Sequence, residues 1–165
     1  MIPRVGKALE RLRATIDANG TAAMEAAIAA PVVLILMVGA IEYGNLLYNA
    51  NLIQTGLRDA ARYLARVDDP MQREQEAKRL AVTGTISGSA PARVAWWQEG
   101  HITISRRSLT NTSDAEGRRP LRGGDEVYVV RVATEVDYRG FGTLSALGRD
   151  ALRLAFAHEE RVVGQ

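Results

Sequence analysis

The sequence contains no cysteine, and this absence excludes disulfide bonds, thiolate metal sites and cysteine nucleophiles. Aromatic residues make up only 5% of the 165 residues, and long blocks of like charge are absent. The net charge is +2, so the strongly basic footprint that binds phosphate backbones is missing and we expect no nucleic-acid partner. The length leaves room for one ordinary domain and little more.

No set of residues suited to catalysis stands out. His101 and His158 fall in predicted strands as isolated histidines, whereas zinc needs several protein ligands, so we expect no metal site. Glu159 and Glu160 are adjacent, and adjacent side chains of a strand point to opposite faces, so we interpret them as solvated charges rather than an acid and a base. We therefore predict neither an enzyme nor a cofactor.

The sequence does contain a run of apolar residues near its start. Residues 26–41 read AAIAAPVVLILMVGAI and lie between Glu25 and Glu42. A helix over residues 21–41 would be about 31 Å long at about 1.5 Å per residue, which matches the hydrocarbon core of a bilayer. We predict a single membrane span over residues 21–41.

The segment before the span is basic. It contains Arg4, Lys7, Arg11 and Arg13. Basic segments beside a span stay in the cytoplasm, so the chain after the span is expected on the other side of a bacterial inner membrane, in the periplasm. The predicted organisation is a cytoplasmic basic leader over 1–20, a transmembrane half of a long helix over 21–41 and an extracytoplasmic α+β domain over 42–165.

Three interpretations of this amino terminus are open. Val38-Gly39-Ala40 could be the small-residue cleavage site of a secretory signal peptide, or the span could be a plain uncleaved anchor. In the third, Gly20 is followed five residues later by Glu25, the spacing of a type IV prepilin processing site. Cleavage after Gly20 would free the amino group of Thr21, and the Glu25 carboxylate could pair with that group or with its equivalent on a neighbouring subunit.

Two motifs lie at and after the end of the apolar run, which also contains Pro31. The first motif consists of Gly39, Glu42, Tyr43 and Gly44, and the second consists of Ala61, Arg62 and Tyr63. In this arrangement the chain resembles the TadE-like family, the minor pilins or pseudopilins of tight-adherence (Tad) pili. The resemblance implies an inner-membrane protein whose partners are other Tad pilins and pseudopilins, the prepilin peptidase, the inner-membrane pilus assembly platform and the lipid bilayer. It leaves the TadE and the related TadF branch open.

Helical periodicity continues after the span and predicts one long helix over residues 21–66, amphipathic in its second half. A short helix is predicted near residues 71–82. Strands are expected at Val94–Trp97, His101–Arg106, Val127–Tyr138 and near residues 151–162, where the pattern also leaves a helix open. A hairpin turn is expected at Glu99-Gly100 and an exposed loop over 111–124. The expected fold is α+β, with a long N-terminal membrane-spanning pilin-like helix packed on a small antiparallel β-sheet.

Two classes of function are consistent with these features. The first is a structural protein, a membrane-anchored minor pilin that takes part in assembling, priming or capping a Tad pilus. The second is an uncleaved, membrane-tethered periplasmic binding module that never joins a filament. A periplasmic enzyme released after Ala40 is disfavoured because the catalytic residues are missing.

Overall fold

The computed structural model describes residues 4–122, 124–142 and 152–163, with side chains from residue 20 onward. In chain order, the elements are the helices α1 (Arg4–Leu64) and α2 (Glu74–Thr83), a 3₁₀ turn (Glu99–His101), and the strands β1 (Ile102–Thr110), β2 (Glu126–Asp137) and β3 (Arg153–Arg161). The α+β prediction is confirmed, since a long N-terminal helix precedes a small antiparallel sheet. By its contacts the chain divides into two compact units, residues 1–43 and residues 44–165.

The described residues of the first unit, 4–43, all belong to α1. Pro31 lies inside this helix, which continues past it. Membrane helices tolerate such a proline because neighbouring groups can satisfy the backbone carbonyl that it leaves free. The predicted leader falls at the start of α1, with residues 1–3 and the side chains of 4–19 outside the described part of the chain.

The second unit, called the domain below, begins with the remainder of α1 and continues through α2. Lys78 forms an ion pair with Glu74 one turn earlier in α2, at 2.6 Å. The helix ends at Gly84, which has the left-handed φ of 79° and donates its backbone N–H to the carbonyl of Leu80 at 2.8 Å. A glycine at this position terminates helices at little steric cost.

The sheet has three antiparallel strands in the order β1-β2-β3. Val132 in the central strand lies opposite Ile104 of β1 and His158 of β3. One face of β2 is buried through alternate residues, as the period-2 pattern predicts. Residues 153–161 are a strand as expected, although residue 151 of the predicted range lies outside the described residues.

The core of the domain lies between this sheet face and one side of α1. The helix contributes Ile53, Leu57, Ala60, Ala61 and Leu64; the sheet contributes Ile102, Ile104, Val130, Val132 and Leu154; Ala77, Ala81 and Trp97 come from α2 and the loop after it. The small residues on α1 let its backbone approach the other layers closely. The predicted packing of a helix on a sheet is therefore confirmed within the domain.

Two local predictions are wrong. Residues 94–97 form turns rather than a strand, and Glu99-Gly100 belongs to the 3₁₀ turn rather than to a hairpin. Trp97 is fully buried among other elements instead of alternating in a sheet, so the β-rich composition of this stretch reflects core packing. With no strand before it, the 3₁₀ turn simply leads the chain into β1.

Candidate functional site

The apolar segment of the first unit is exposed around its whole circumference. Every side chain from Thr21 to Ile41 is exposed, including the consecutive Leu34, Ile35 and Leu36. In the described part of the chain, α1 is the one helix long and apolar enough to cross a membrane. A continuous exposed apolar surface of this kind is typical of a segment that contacts lipid or other protein chains.

The predicted processing residues lie at the start of this exposed segment. Gly20, Thr21 and Glu25 are all within α1 and exposed, and a Cβ built on Gly20 would meet no atom within 4 Å. The three residues are therefore accessible along the side of the helix. Their roles in cleavage and subunit contact stay predictions.

The residues of the first motif differ in exposure. Glu42 is only 5% exposed, whereas its neighbour Tyr43 is 61% exposed. Cβ atoms built on Gly39 and Gly44 would contact nothing within 4 Å. The motif thus combines one buried carboxyl with an open surface on either side of it along the chain.

The residues of the second motif differ in burial, and one of them contacts α2. Ala61 is fully buried, Arg62 is exposed and the Tyr63 hydroxyl donates a hydrogen bond to the Glu76 carboxylate on α2. Arg73 also donates to Glu76, at 2.6 Å. Because these bonds stabilise the charged form, the Tyr63 hydroxyl first and then Arg73 hold the pKa of Glu76 below its ordinary value. Tyr63 of this motif therefore links α1 to α2 through a hydrogen bond.

Comparison with known proteins agrees with this arrangement. The family model described as TadE-like protein matches residues 20–62, which run from the predicted processing glycine to Arg62 in the second motif. Residues 20–62, called the TadE-like segment below, are thus similar to this family. The predicted resemblance is confirmed over this segment, and it supports a protein associated with the Tad pilus. No curated protein and no solved structure gives a significant match.

One residue of the TadE-like segment was missed by the sequence analysis. A Cβ on Gly56 would lie 2.4 Å from the carbonyl oxygen of Ala81 and 2.9 Å from the ring of Trp97. Only glycine lets α1 approach both groups at this point. The signal in the sequence is a glycine in the interior of a predicted helix. Because glycine weakens a helix, its presence there indicates a position at which another part of the chain packs closely.

Two buried polar contacts beyond the TadE-like segment also escaped prediction. Trp97 Nε1 donates to Thr134 Oγ1 at 3.0 Å, and that hydroxyl donates to the His101 carbonyl at 2.8 Å. Asn111, within a sequence Asn-Thr-Ser, is fully buried and donates to the carbonyls of Leu121 and Gly124, both at 2.9 Å. The Asn111 side chain therefore holds the loop over 111–124 together.

The two histidines occupy ordinary positions. His101 Nδ1 accepts a hydrogen bond from the Gln98 backbone N–H at 3.1 Å, and His158 Nε2 lies 3.4 Å from Glu160. Among the described residues, no group of three or more His, Cys, Asp or Glu side chains could hold a metal ion.

Proposed function

We propose that this protein is a minor pilin or pseudopilin, anchored in the bacterial inner membrane by residues 21–41, that takes part in assembling, priming or capping a Tad pilus. The observation that carries the proposal is the coincidence of two features in one segment. The helix over residues 20–41 exposes apolar side chains on all sides, and the TadE-like match begins at residue 20. A helix that is apolar on all sides can be embedded in lipid and can later pack against the helices of other subunits.

In the proposed mechanism, one helix surface contacts two different environments in turn. In the bilayer the apolar side chains contact lipid, and in a filament they contact the helices of neighbouring pilins. The first part of this apolar segment is rich in small residues: Ala22, Ala23, Ala26, Ala27, Ala29 and Ala30. Small side chains allow close approach of helices, which is how helices associate where lipid removes the hydrophobic driving force.

Glu25 is the proposed assembly contact. A carboxylate within an apolar segment costs about 2.5 to 3.5 kcal/mol at the bilayer centre and less near the interface, so it needs a partner. The amino group that prepilin peptidase would free at Thr21 of a neighbouring subunit is a suitable partner. With the basic leader held in the cytoplasm, the domain would lie in the periplasm until assembly.

The mass of the intact protein, extracted from membranes of its host, tests the processing step. Cleavage between Gly20 and Thr21 is expected to remove the leader, and Gly20→Leu should restore the mass of the full chain. Ala22→Leu serves as the control and should still be processed, because it adds the same side chain beyond the scissile bond. A wild-type protein that retains Met1 would instead favour the tethered binding module.

Protease added outside spheroplasts tests the orientation. The domain should be digested while residues before the span remain protected. Protection of the whole domain would contradict the proposed topology.

Glu25→Ala and Glu25→Gln test the assembly contact. Both variants should insert in the membrane and keep a folded domain, while recovery of other pilins in a complex with this protein falls. Gln keeps the shape and removes the charge, so equal loss in both variants identifies the charge as the cause. Normal piliation in both would leave Glu25 as an ordinary interfacial residue.

A further inference from the structure

Within the domain, α1 has one exposed side, which we call the outer face. It consists of Gly44, Leu47, Tyr48, Asn51, Thr55, Arg58 and Arg62, and it continues into Arg66 in the turn after the helix. Nearly all these positions recur at steps of three or four residues, so they lie on one side of a helix. The opposite side of the same helix forms the domain core.

The carboxyl-terminal end of the outer face is basic. Arg58, Arg62 and Arg66 form no ion pair among the side chains that the structure describes. Several other arginines of the domain are paired, such as Arg93 with Asp59 at 2.7 Å and Arg131 with Glu159 at 3.1 Å. Like charges one turn apart destabilise a helix, so this row has a cost that an external acidic partner would offset.

A shallow groove lies beside two of these arginines. Arg62 and Arg66 line it together with Asp59, Tyr63 and Val67, and its volume is about 350 Å³. The Asp59 carboxylate is already held by Arg93, and the Tyr63 hydroxyl donates to Glu76 on α2. The two guanidinium groups are therefore the groups in this groove that are available to a carboxylate from outside.

The amino-terminal end of the outer face is apolar. Leu47 is 46% exposed and Tyr48 is 63% exposed, although the domain buries most of its other large apolar side chains. Gly44, one turn earlier, has open space where a Cβ would lie. Another helix can approach closely at this end, since Gly44 presents no side chain.

We propose that the outer face docks an amphipathic helix of a different protein subunit, acidic where it meets Arg58, Arg62 and Arg66, and apolar where it meets Leu47 and Tyr48. The arginines are spaced by four residues, a rise of about 6 Å along a helix axis. Carboxylates with the same spacing on a partner helix can meet each of them in turn. This inference goes beyond the proposed function, because it applies equally to a domain that never enters a filament.

A second copy of this chain does not supply the acidic helix. Neither α1 nor α2 contains two acidic residues three or four positions apart. Parallel docking of α1 against α1 would instead bring like charges together, and antiparallel docking would place the arginines against the apolar Leu47 and Tyr48 of the other copy. Charge complementarity therefore requires a different chain.

A linear row also fits a helix better than a membrane surface. The basic groups follow the helix axis and lead into an apolar and aromatic end, which matches the elongated footprint of a docked helix. A layer of anionic lipid would need a broad basic patch. On the sheet, by contrast, Arg107, Arg131 and Arg153 are compensated by neighbouring carboxylates.

Binding of synthetic helical peptides to the full-length protein in a neutral detergent tests the charge pattern. The probe carries three glutamates at four-residue spacing and leucines near one end. The control peptide has the same composition, with the glutamates distributed around the helix. The probe should bind at least about tenfold more tightly than the control, and less tightly as salt is added.

Matched variants locate the binding surface. Arg58→Ala, Arg62→Ala and Arg66→Ala combined should weaken probe binding by about tenfold, since three exposed ion pairs are lost. The control combines Arg107→Ala, Arg122→Ala and Arg139→Ala, which remove three exposed arginines elsewhere and should leave probe binding unchanged. Circular dichroism establishes that both variants remain folded. Equal binding of both peptides, or equal loss in both variants, overturns the proposal.

Photo-crosslinking in cells tests the nature of the partner. A photoreactive residue at Thr55, on the outer face, should crosslink to a segment of another protein that carries acidic residues one turn apart. The combined arginine variant should lose this adduct, whereas the same reagent at the exposed Ser105 of β1 should not produce it. Adducts to lipid, adducts to a second copy of this chain, or no adduct at Thr55 would each overturn the proposal.

Discussion

Residues 21–41 and residues 45–64 both belong to α1, but their side chains have different surroundings. In the first stretch every side chain is exposed and nearly all are apolar. In the second, apolar side chains such as Ile53 and Leu57 form one buried side against the sheet, while the exposed side is mixed and ends in Arg58 and Arg62. The backbone conformation is the same in both.

The difference shows that the distribution of apolar residues decides what a helix does. A helix that is apolar all round requires an apolar medium or other helices, whereas a helix with one apolar side completes the core of a domain. A substitution in one stretch should therefore affect membrane insertion, and a similar substitution in the other should affect folding. The four predictions below test this separation, from the largest expected effect to the smallest.

The largest effect is expected from a charge placed in the domain core. Leu57 is fully buried, so Leu57→Lys would place an uncompensated ammonium group there and should lower the free energy of unfolding by roughly 4 kcal/mol or more. Limited proteolysis should digest the domain while the protein still resists extraction from membranes with carbonate. Ile35→Lys is the matched control, with the opposite result: insertion weakens by about 3 kcal/mol and the domain stays folded. Loss of both properties in both variants would contradict the separation.

A methyl group added to α1 should have opposite effects at two glycines. Gly56→Ala should destabilise the domain by about 1 to 3 kcal/mol, because its Cβ would clash with the Ala81 carbonyl and the Trp97 ring. Gly44→Ala should stabilise it by about 0.5 to 1 kcal/mol, since space is open and alanine favours the helix. Thermal unfolding followed by circular dichroism in detergent measures both changes. Equal effects at the two positions would mean that α1 does not pack closely at Gly56.

The hydrogen bond from Trp97 to Thr134 should contribute about 1 kcal/mol to the stability of the domain. Trp97→Phe and Thr134→Val each remove this bond, and together they should cost less than the sum of the single changes. Urea unfolding of the three variants measures the coupling. Strict additivity would show that the bond contributes nothing beyond packing.

The smallest effect concerns pH. The pKa of Glu76 is lowered in the folded domain, so its contribution to stability is present above the ordinary pKa of the unfolded chain and is lost as pH falls through the lower folded value. Tyr63→Phe removes the main cause of this shift and should make stability less sensitive to acidification below about pH 4. Tyr43→Phe removes an exposed hydroxyl from the first motif and should leave the profile unchanged. Parallel profiles in all three proteins would exclude the Tyr63 contact as the cause.

Much of the fold could be predicted because its signals are local. The apolar run defines the exposed segment of α1, and alternation from Val130 to Val136 defines the buried face of β2. The stretch over 94–97 was mispredicted because β-forming residues also fill cores, and only the contacts of Trp97 show which applies. Of the candidate residues, Ala61 and Tyr63 prove to be contacts of the domain, whereas Gly20 and Glu25 lie on an exposed surface and their roles stay predictions.

The sequence by itself determined the position of the apolar segment of α1, the TadE-like motifs and the α+β class, because each depends on residue type and spacing along a few turns or one strand. Only the tertiary structure decided that Gly56 must lack a side chain, that Asn111 holds a loop together and that three arginines of the outer face have no ion pair among the described side chains. The physical reason is that these properties depend on atoms from residues far apart in the chain. Burial, close approach and charge compensation exist only once folding has chosen the neighbours of each side chain.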